Sequence, residues 1–402
     1  MTKDEKWFNK KMDRREFLKK AGIGGAGLAL GVSSASAFFA NQAKEDKKLA
    51  DGDEEISFYG EHQAGITTAM QKNIYFVILD LHTTDKETII QMFKDWTVYS
   101  EKLVNGELVK KDGSNALLPP TDTGETVGLN PYRLTLTFGV SASFLKKMGL
   151  EDKKPKEFRD LPPFPKEQLK EKYTGGDIVI QACADDEQVA FHAVRNLVRK
   201  ARNAVTMKWS QAGFAAIGDR MSTPRNLFGF KDGTANVTKE KDFDKVVWCD
   251  SKDWMKGGSY MAVRRIQMFL ETWDRTNLQE QENTFGRYKE SGAPFGKKNE
   301  FDEVDLDLLP VDAHVRLAKE VDKPLYRRSY SYSDGIDETT GQFDTGLLFI
   351  SFQKDPDSFI KVQTNLGAQD KMNEYITHVG SGLFACFGGV KEGEYLGQKL
   401  FE

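Results

Sequence analysis

Two stretches in different halves of the chain follow the same plan. Leu134–Gly149 is LTLTFGVSASFLKKMG, and Leu347–Val362 is LLFISFQKDPDSFIKV. Each begins with apolar and β-branched residues that predict a strand, passes through a short turn, and continues with apolar residues at the spacing of an amphipathic helix. The shared plan predicts two structurally similar α+β domains, divided near residue 215.

The rest of the chain keeps this alternation of strands and helices. The run GDIVIQACA predicts a buried strand, and DEQVAFHAVRNLVRKAR after it predicts a helix whose first residues are acidic, as the helix dipole favours. The same two patterns recur in both halves, in IYFVILDL, KETIIQMFKDWTVYSEKL, MKWSQAGFAAI, SYMAVRRIQMFLE and TNLQEQENTFGRY.

The beginning of the chain has the features of an export signal. Lys and Arg are frequent in residues 1–20, Ala21–Ala37 carries no charge, and ASA at the end of that stretch offers small residues for cleavage. The pair Arg14 and Arg15 resembles the twin-arginine export signal, whose route carries folded proteins. We therefore expect export by that route to an extracytoplasmic location, either secreted or at the cell envelope.

The predicted domain organisation follows from these patterns. Residues 1–40 form the signal peptide, and residues 41–56 form a charged linker with almost no apolar content. Residues 57–215 form the N-terminal domain and residues 216–402 form the C-terminal domain.

Charge and composition narrow the classes of function. The formal net charge is -4 over 402 residues, with acids and bases interspersed, so no nucleic-acid partner is expected. The three cysteines lie far apart, form no CxxC pair and are expected to be buried thiols. The five histidines include no pair at helical spacing, so the sequence does not indicate a multi-histidine metal site. A single axial histidine remains compatible with this pattern.

The stretch FGFKDGTANV, Phe228–Val237, places Asp232 between two glycines and behind two phenylalanines. An Asp-Gly pair is an ordinary turn signal. Alternatively, the glycines let the backbone approach something flat and bulky that Asp232 faces. This stretch alone leaves both interpretations open.

Two further stretches carry candidate site residues. In LLPVDAHVRLAKE, Pro310 predicts a helix start, and Val311 and His314 then share an apolar face. A histidine on such a face is more often a core residue than a ligand. In PLYRRSYSY, adjacent strand residues Arg327 and Arg328 point to opposite faces, so one of them is buried and needs an anion from the protein or from a cofactor.

These three elements in this order, NLFGFKDGTAN, DAHVRLA and YRRSYSY, resemble the dye-decolourising (DyP-type) haem peroxidases. The resemblance covers nearly all of the chain after the signal and includes YGEHQAGI, GGDIVIQACADD, FGRYKESGAPFG and NEYITHVGSGLFA. Within this family, the chain most resembles the exported branch that is associated with iron uptake. The resemblance implies two ferredoxin-like domains, each an antiparallel sheet with helices, in the dimeric α/β-barrel-like architecture of the family. It also implies that haem is held mainly by the C-terminal domain.

The resemblance also assigns residues. It implies that His314 is the axial ligand of a non-covalent haem b, and that Asp232 and Arg327 are the catalytic pair that acts on hydrogen peroxide. Asp370 is a candidate hydrogen-bond partner for His314, or alternatively the cap of the following helix. The residues implied to contact the cofactor are Gly233, Thr234, Ala235, Asn236, His314 and Arg327.

Three functions stay open at this stage. The first is an exported peroxidase that uses hydrogen peroxide to oxidise bulky organic reductants or ferrous iron, linked to iron uptake. The second is a deferrochelatase, which binds haem and releases its iron while leaving protoporphyrin. The third is a ferredoxin-like binding module without haem. For the first two, the implied partners are haem, hydrogen peroxide, the twin-arginine translocase, a membrane iron permease, an iron-binding lipoprotein and a second copy in a homodimer.

Overall fold

A computed structural model describes residues 54–110, 115–217 and 223–402. The predicted signal peptide and all but residues 54–56 of the predicted linker lie outside these ranges. The residues in these ranges form one compact unit. None of the helices within the described ranges is both long and apolar enough to cross a membrane.

The strands of the described ranges belong to a single 9-stranded sheet. In chain order they are β1 (Asn73–Leu81), β2 (Thr135–Val140), β3 (Ile178–Ala184), β4 (Val205–Phe214), β5 (Ser259–Met268), β6 (Tyr326–Arg327), β7 (Tyr330–Ile336), β8 (Phe343–Gln353) and β9 (Ile376–Cys386).

The helices connect these strands and cover the outside of the sheet. They are α1 (Lys86–Val104), α2 (Ala142–Lys147), α3 (Glu187–Lys200), α4 (Glu240–Val246), α5 (Leu270–Asp274), α6 (Leu278–Phe285), α7 (His314–Glu320), α8 (Pro356–Gln369) and α9 (Gln398–Phe401).

The sheet closes on itself. Its strand order is β5-β9-β2-β3-β1-β4-β7-β8-β6, every pairing between these strands is antiparallel, and β5 also pairs with β8. The additional pairing joins all strands except β6 into a ring, which removes the open edges of the sheet. The α+β class and the barrel-like architecture predicted from the sequence are confirmed.

The two halves of the barrel have the same connectivity. In the first half, the strands lie side by side in the order β2-β3-β1-β4, and in the second half the long strands lie in the order β7-β8-β5-β9. If the long strands of each half are counted along the chain, both halves therefore have the spatial order second, third, first, fourth. Each half has helices after its first and third strands. This is the ferredoxin-like arrangement that the family resemblance implies, and it agrees with the two similar α+β units expected from the repeated strand and helix plan. The domain boundary near residue 215 stays a prediction.

Few backbone pairs join the halves. Strand β4 pairs with β7 at one position, and β2 pairs with β9 at two. A glycine allows the close approach at each junction. A Cβ atom on Gly213 would lie 3.0 Å from the carbonyl oxygen of Ser331, and one on Gly139 would lie 3.1 Å from that of Ala385.

Side-chain hydrogen bonds that involve the segment before β1 strengthen these junctions. The amide of Gln63 donates to the carbonyls of Phe138 at 2.8 Å and Phe387 at 2.9 Å, and its oxygen accepts from the Phe138 N–H at 2.8 Å. Near the other junction, Arg328 donates to the carbonyl of Thr68. Gln63 and Arg328 are both buried, so these bonds also satisfy polar groups that water does not reach.

The side chains of β1 show how the core is divided. Ile74, Phe76 and Ile78 pack inside the barrel with residues from the other strands. Val77 and Leu79 point the opposite way and pack with apolar residues of α1 and α3. This alternation follows from the two-residue period of a strand, and it explains why nearly every residue of β1 is apolar.

Candidate active site

The turn that carries Asp232 rests on buried aromatic rings. Phe228 packs on Trp273 with ring centroids 4.4 Å apart, and Phe230 stacks on Phe285 at 3.9 Å. The N–H of Asp232 donates to the carbonyl of Pro224 at 2.8 Å. The two phenylalanines of FGFKDG therefore anchor the turn and fix where Asp232 leaves the backbone.

Asp232 forms an ion pair with Arg327. Its Oδ1 accepts from Nη1 of Arg327 at 3.2 Å, and the two side chains are 22% and 25% exposed. Asn236 holds the backbone of Arg327, since its Nδ2 donates to the Arg327 carbonyl at 2.7 Å and its Oδ1 accepts from the Arg327 N–H at 3.0 Å. The amide of Asn236 thus positions the arginine.

A cavity of 510 Å³ lies beside this pair. Its size falls in the range of small-molecule sites, which is about 300–1,000 Å³. Both halves of the barrel contribute to its wall, with Thr67 and Met70 from the first half and Leu347 from the second. The lining includes four of the predicted site residues, namely Asp232, Gly233, Asn236 and Arg327.

His314 is held by Asp370. The Nδ1 atom of His314 lies 2.6 Å from Oδ2 of Asp370, while Oδ1 of Asp370 accepts from the N–H of Met372 at 2.8 Å. The two alternatives for Asp370 therefore both hold, because this carboxylate contacts the imidazole and also caps the short helix Lys371–Glu374. Asp370 is buried, whereas 30% of the His314 side chain is accessible.

The helix around His314 begins later than the sequence pattern predicts. Helix α7 starts at His314 with Ala313 as its N-cap, and the Ala313 N–H donates to the carbonyl of Pro310 in a preceding turn. The predicted start at Pro310 is therefore wrong. Val311 is 72% exposed and does not share an apolar face with His314, and Leu317 is the buried residue of the helix.

Charges from both pairs act on the imidazole. Burial alone would lower the pKa of His314, but the negative charge and hydrogen bond of Asp370 outweigh burial and hold the pKa above its usual range. Arg327 and Asp232 also influence this pKa, although His314 is not among the residues that line the cavity. In the described part of the chain no group hydrogen-bonds Nε2 of His314, which leaves that atom available to a ligand.

Two residues predicted to contact the cofactor, Thr234 and Ala235, are not among the residues that line the cavity. The hydroxyl of Thr234 donates to Glu300 at 2.9 Å, and Ala235 is exposed. Their contact with a cofactor stays a prediction. Sequence reasoning missed Glu300, which also pairs with Lys231. No spacing rule connects an acid to a turn so far away in the chain, so only the fold brings these residues together.

Family profiles match both halves of the chain. The profile of the N-terminal domain of DyP-type peroxidases matches residues 63–215, and that of the C-terminal domain matches residues 223–391. The chain belongs to the DyP-type peroxidase family. It is therefore a haem-dependent enzyme whose cofactor is haem b, and the third hypothesis of a module without haem does not stand.

Curated relatives share most of the length of this DyP-type peroxidase. A deferrochelatase of Yersinia pestis is 38% identical over 371 residues, which cover 86% of this chain and 84% of the relative. A deferrochelatase of Shigella sonnei is 36% identical over 425 aligned residues, which cover 99% of each chain.

Solved structures are also similar to this chain, in both fold and sequence. Ferric DtpA from Streptomyces lividans is 36% identical with a TM-score of 0.81, covering 88% of this chain and 98% of that one. A DyP-type peroxidase from Cellulomonas bogoriensis is 35% identical with a TM-score of 0.80, covering 88% and 99%. An encapsulated DyP-type peroxidase from Mycobacterium smegmatis is 17% identical with a TM-score of 0.61, which shows the shared fold alone.

The residues of the site fit a haem group. His314 has no hydrogen bond to its Nε2 among the described residues, and 30% of its side chain is accessible. A carboxylate on the other ring nitrogen fixes the ring and makes it a stronger ligand. The neighbouring cavity holds the acid and the arginine. These features provide a candidate axial ligand for haem and a polar pair at the wall of the cavity.

Replacing Asp370 with asparagine should change the titration of His314. Because burial remains while the compensating charge is lost, we expect the pKa of His314 in the haem-free protein to fall from above its usual value of about 6.5 to below it. NMR titration of the histidine ring signals would measure this change, with the other histidines as internal controls.

The same exchange should alter stability in a defined pH range. The raised pKa belongs to the folded state, so its stabilising effect is fully present below about pH 6.5 and is lost as pH rises through the folded pKa. Asp370→Asn should reverse that dependence, because a folded-state pKa of His314 below about 6.5 makes the variant less stable as pH falls through that value. Thermal unfolding followed across this pH range would measure the change. An unchanged titration of His314 in the variant would contradict the assigned contact.

Proposed function

We propose that the protein uses hydrogen peroxide to oxidise bulky organic reductants or ferrous iron, and that Asp232, Arg327 and His314 carry this reaction. The observation that supports the assignment is the Asp232–Arg327 contact of 3.2 Å at the wall of a cavity, within electrostatic range of a histidine whose Nδ1 is held by Asp370. Haem b, when bound, supplies a redox-active iron that exchanges electrons with peroxide and with the reductant.

His314 would hold the iron through Nε2. Asp370 keeps the proton of the imidazole on Nδ1, where it is hydrogen-bonded, so Nε2 carries the lone pair. The second bond of Asp370, to the N–H of Met372, fixes the carboxylate itself. The histidine therefore has a fixed tautomer and a fixed orientation.

Asp232 and Arg327 would act on peroxide. The carboxylate of Asp232 would accept a proton from one oxygen of hydrogen peroxide and return it to the other, which would leave as water when the O–O bond breaks. The two electrons that this cleavage requires would come from bound haem. Arg327 stabilises the negative charge that develops on the leaving oxygen, and its contact with Asp232 keeps the carboxylate oriented. The backbone bonds from Asn236 hold Arg327 in place for this role.

Variants of the polar pair test this assignment. We expect Asp232→Asn to slow the reaction with hydrogen peroxide by roughly 10²- to 10⁴-fold, the usual contribution of a general acid–base group, and Arg327→Ala to slow it as well. Stopped-flow absorption of the haem-loaded proteins would measure the rates. Haem content and the Soret band should be retained in both variants, whereas His314→Ala should weaken or shift the band.

Deferrochelatase activity is the second candidate function. It is favoured by the relatives of that name, which are 36% and 38% identical to this chain over most of its length. Release of iron without destruction of the ring would use the same site, since His314 is the candidate axial ligand. The two functions differ in their products.

Analysis of the porphyrin product separates the two functions. If the protein works as a peroxidase, incubation with haem, hydrogen peroxide and an organic reductant should yield oxidised reductant while the haem keeps its iron. If it works as a deferrochelatase, intact iron-free protoporphyrin should accumulate and be visible by its fluorescence after chromatography. Protoporphyrin formed by wild type but not by His314→Ala would overturn the peroxidase-only account.

We further propose that the protein is exported by the twin-arginine translocase and acts outside the cytoplasm in iron uptake. Arg14 and Arg15, followed by an uncharged stretch, support the export route. In that setting its partners would be a membrane iron permease, an iron-binding lipoprotein and a second copy of the chain in a homodimer.

The export proposal has a direct test. Replacing Arg14 and Arg15 together with lysine keeps the charge but removes the twin-arginine pair, so we expect the precursor to accumulate in the cytoplasm. Cell fractionation followed by immunoblotting would detect it, with Lys10→Arg as a charge-conserving control. Normal export of the double variant would contradict the proposed route.

A further inference from the structure

One buried carboxylate contacts the residues on both sides of Asp232 and Gly233. Glu300 is 8% exposed, and its Oε1 accepts from the hydroxyl of Thr234 at 2.9 Å while its Oε2 pairs with the ammonium of Lys231. The two residues that flank the candidate acid and its glycine are therefore tied to the same side chain.

Glu300 is itself held firmly. Nη1 of Arg287 donates to the carbonyl of Glu300 at 2.9 Å and to that of Gly292 at 2.7 Å. Gly292 has φ of +75°, and a Cβ atom there would lie 2.7 Å from Cδ of Lys231. The segment that carries Glu300 thus packs closely on the turn, and its position depends on a glycine.

The environment of Glu300 favours its ionised form. Burial raises the pKa of Glu300, but hydrogen bonds from Lys231, Thr223 and Thr234 outweigh burial and hold the pKa below its usual range. Thr223 lies on the other side of the turn, so the carboxylate links three points of the backbone around Asp232.

Asp232 depends on such external support. In the part of the chain that the structure describes, Arg327 is the hydrogen-bonding partner of the Asp232 side chain, and the Asp232 N–H donates to the Pro224 carbonyl. A carboxylate that must accept and return a proton cannot be fixed by many bonds of its own, since each one stabilises its charged form. Its direction must then come from the backbone beside it.

We propose that Glu300 is a positioning residue for Asp232, acting through its contacts with Lys231 and Thr234. This proposal rests on the proposed function, in which Asp232 transfers the proton of peroxide. A displacement of about 1 Å at a reacting group can cost on the order of 10²-fold in rate. Loss of the carboxylate should therefore slow the peroxide step while leaving the binding of the reductant unchanged.

Three variants separate this role from a general loss of stability. Glu300→Ala removes both contacts, and we expect a 10- to 100-fold slower reaction with peroxide with an unchanged KM for the reductant. Glu300→Gln can still accept from Lys231 and donate to Thr234, so it should recover most of the rate. Glu303→Ala changes an exposed acid near Glu300 and should have no effect.

Coupling between the contacts gives a second test. Thr234→Val removes one hydroxyl without a change of size and should slow the peroxide step by several-fold in the wild-type background. In the Glu300→Ala background it should have no further effect, because the bond is already lost. Additive effects of the two changes would overturn the proposal.

Hydrogen exchange of the haem-free protein gives a readout that does not depend on turnover. The N–H groups of Asp232 and Asn236 donate to carbonyls within the turn, so Glu300→Ala should speed their exchange while the barrel strands exchange as in wild type. Slower turnover without faster exchange of these amides would overturn the positioning role. If Glu300→Ala speeds exchange throughout the protein, the variant is generally destabilised, and the peroxide rate of Thr234→Val then tests the positioning role. A wild-type peroxide rate in Thr234→Val would reject the proposal.

Asp232→Asn distinguishes failure of this inference from failure of the proposed function. If Asp232→Asn reacts with peroxide at the wild-type rate, the proposed function is wrong whatever Glu300 does. If Asp232→Asn is slow while Glu300→Ala reacts normally, the proposed function stands and the positioning role alone is rejected.

Discussion

Closure of the sheet is the constraint on which the rest of the structure depends. The halves meet through one backbone pair between β4 and β7 and two between β2 and β9, fewer than within either half. Close approach therefore requires the glycines at 213 and 139, and buried side chains such as Gln63 must satisfy the backbone groups that the short pairings leave. The segment that carries Gln63 continues into the cavity wall at Thr67 and Met70, so the same residues that close the barrel also shape the site.

Much of the fold could be predicted from the sequence because strand and helix periods are local signals. The runs around β1, β3 and α3 follow those periods, and the structure places these elements there. The start of α7 could not be predicted in this way. A proline is tolerated in the first turn of a helix but also in the turn before one, and here Pro310 lies in the turn that precedes Ala313. Glu300 was missed because its partners are distant in the chain.

The site residues differ in how far the sequence could reveal their roles. The candidate acid, arginine and histidine were found from motifs, and the structure brings Asp232 and Arg327 into contact and places His314 within the range of their charges. The tasks of Asn236 and Thr234 depend on which atoms their side chains reach. Asn236 bonds the backbone of Arg327, and Thr234 bonds Glu300. Such contacts follow from tertiary packing, which residue type and spacing do not encode.

The two carboxylates nearest the proposed chemistry are fixed in opposite ways, and their tasks explain the difference. Asp370 has to keep one proton on the imidazole of His314, so it can be buried and bonded at both oxygens. In the proposed reaction Asp232 would have to gain and lose a proton, and a second strong bond to its oxygens would favour one state over the other. It keeps one ionic partner and partial exposure, while its neighbours Lys231 and Thr234 take up the bonds to Glu300. The bonds that fix the turn thus lie beside the acid and not on its own oxygens.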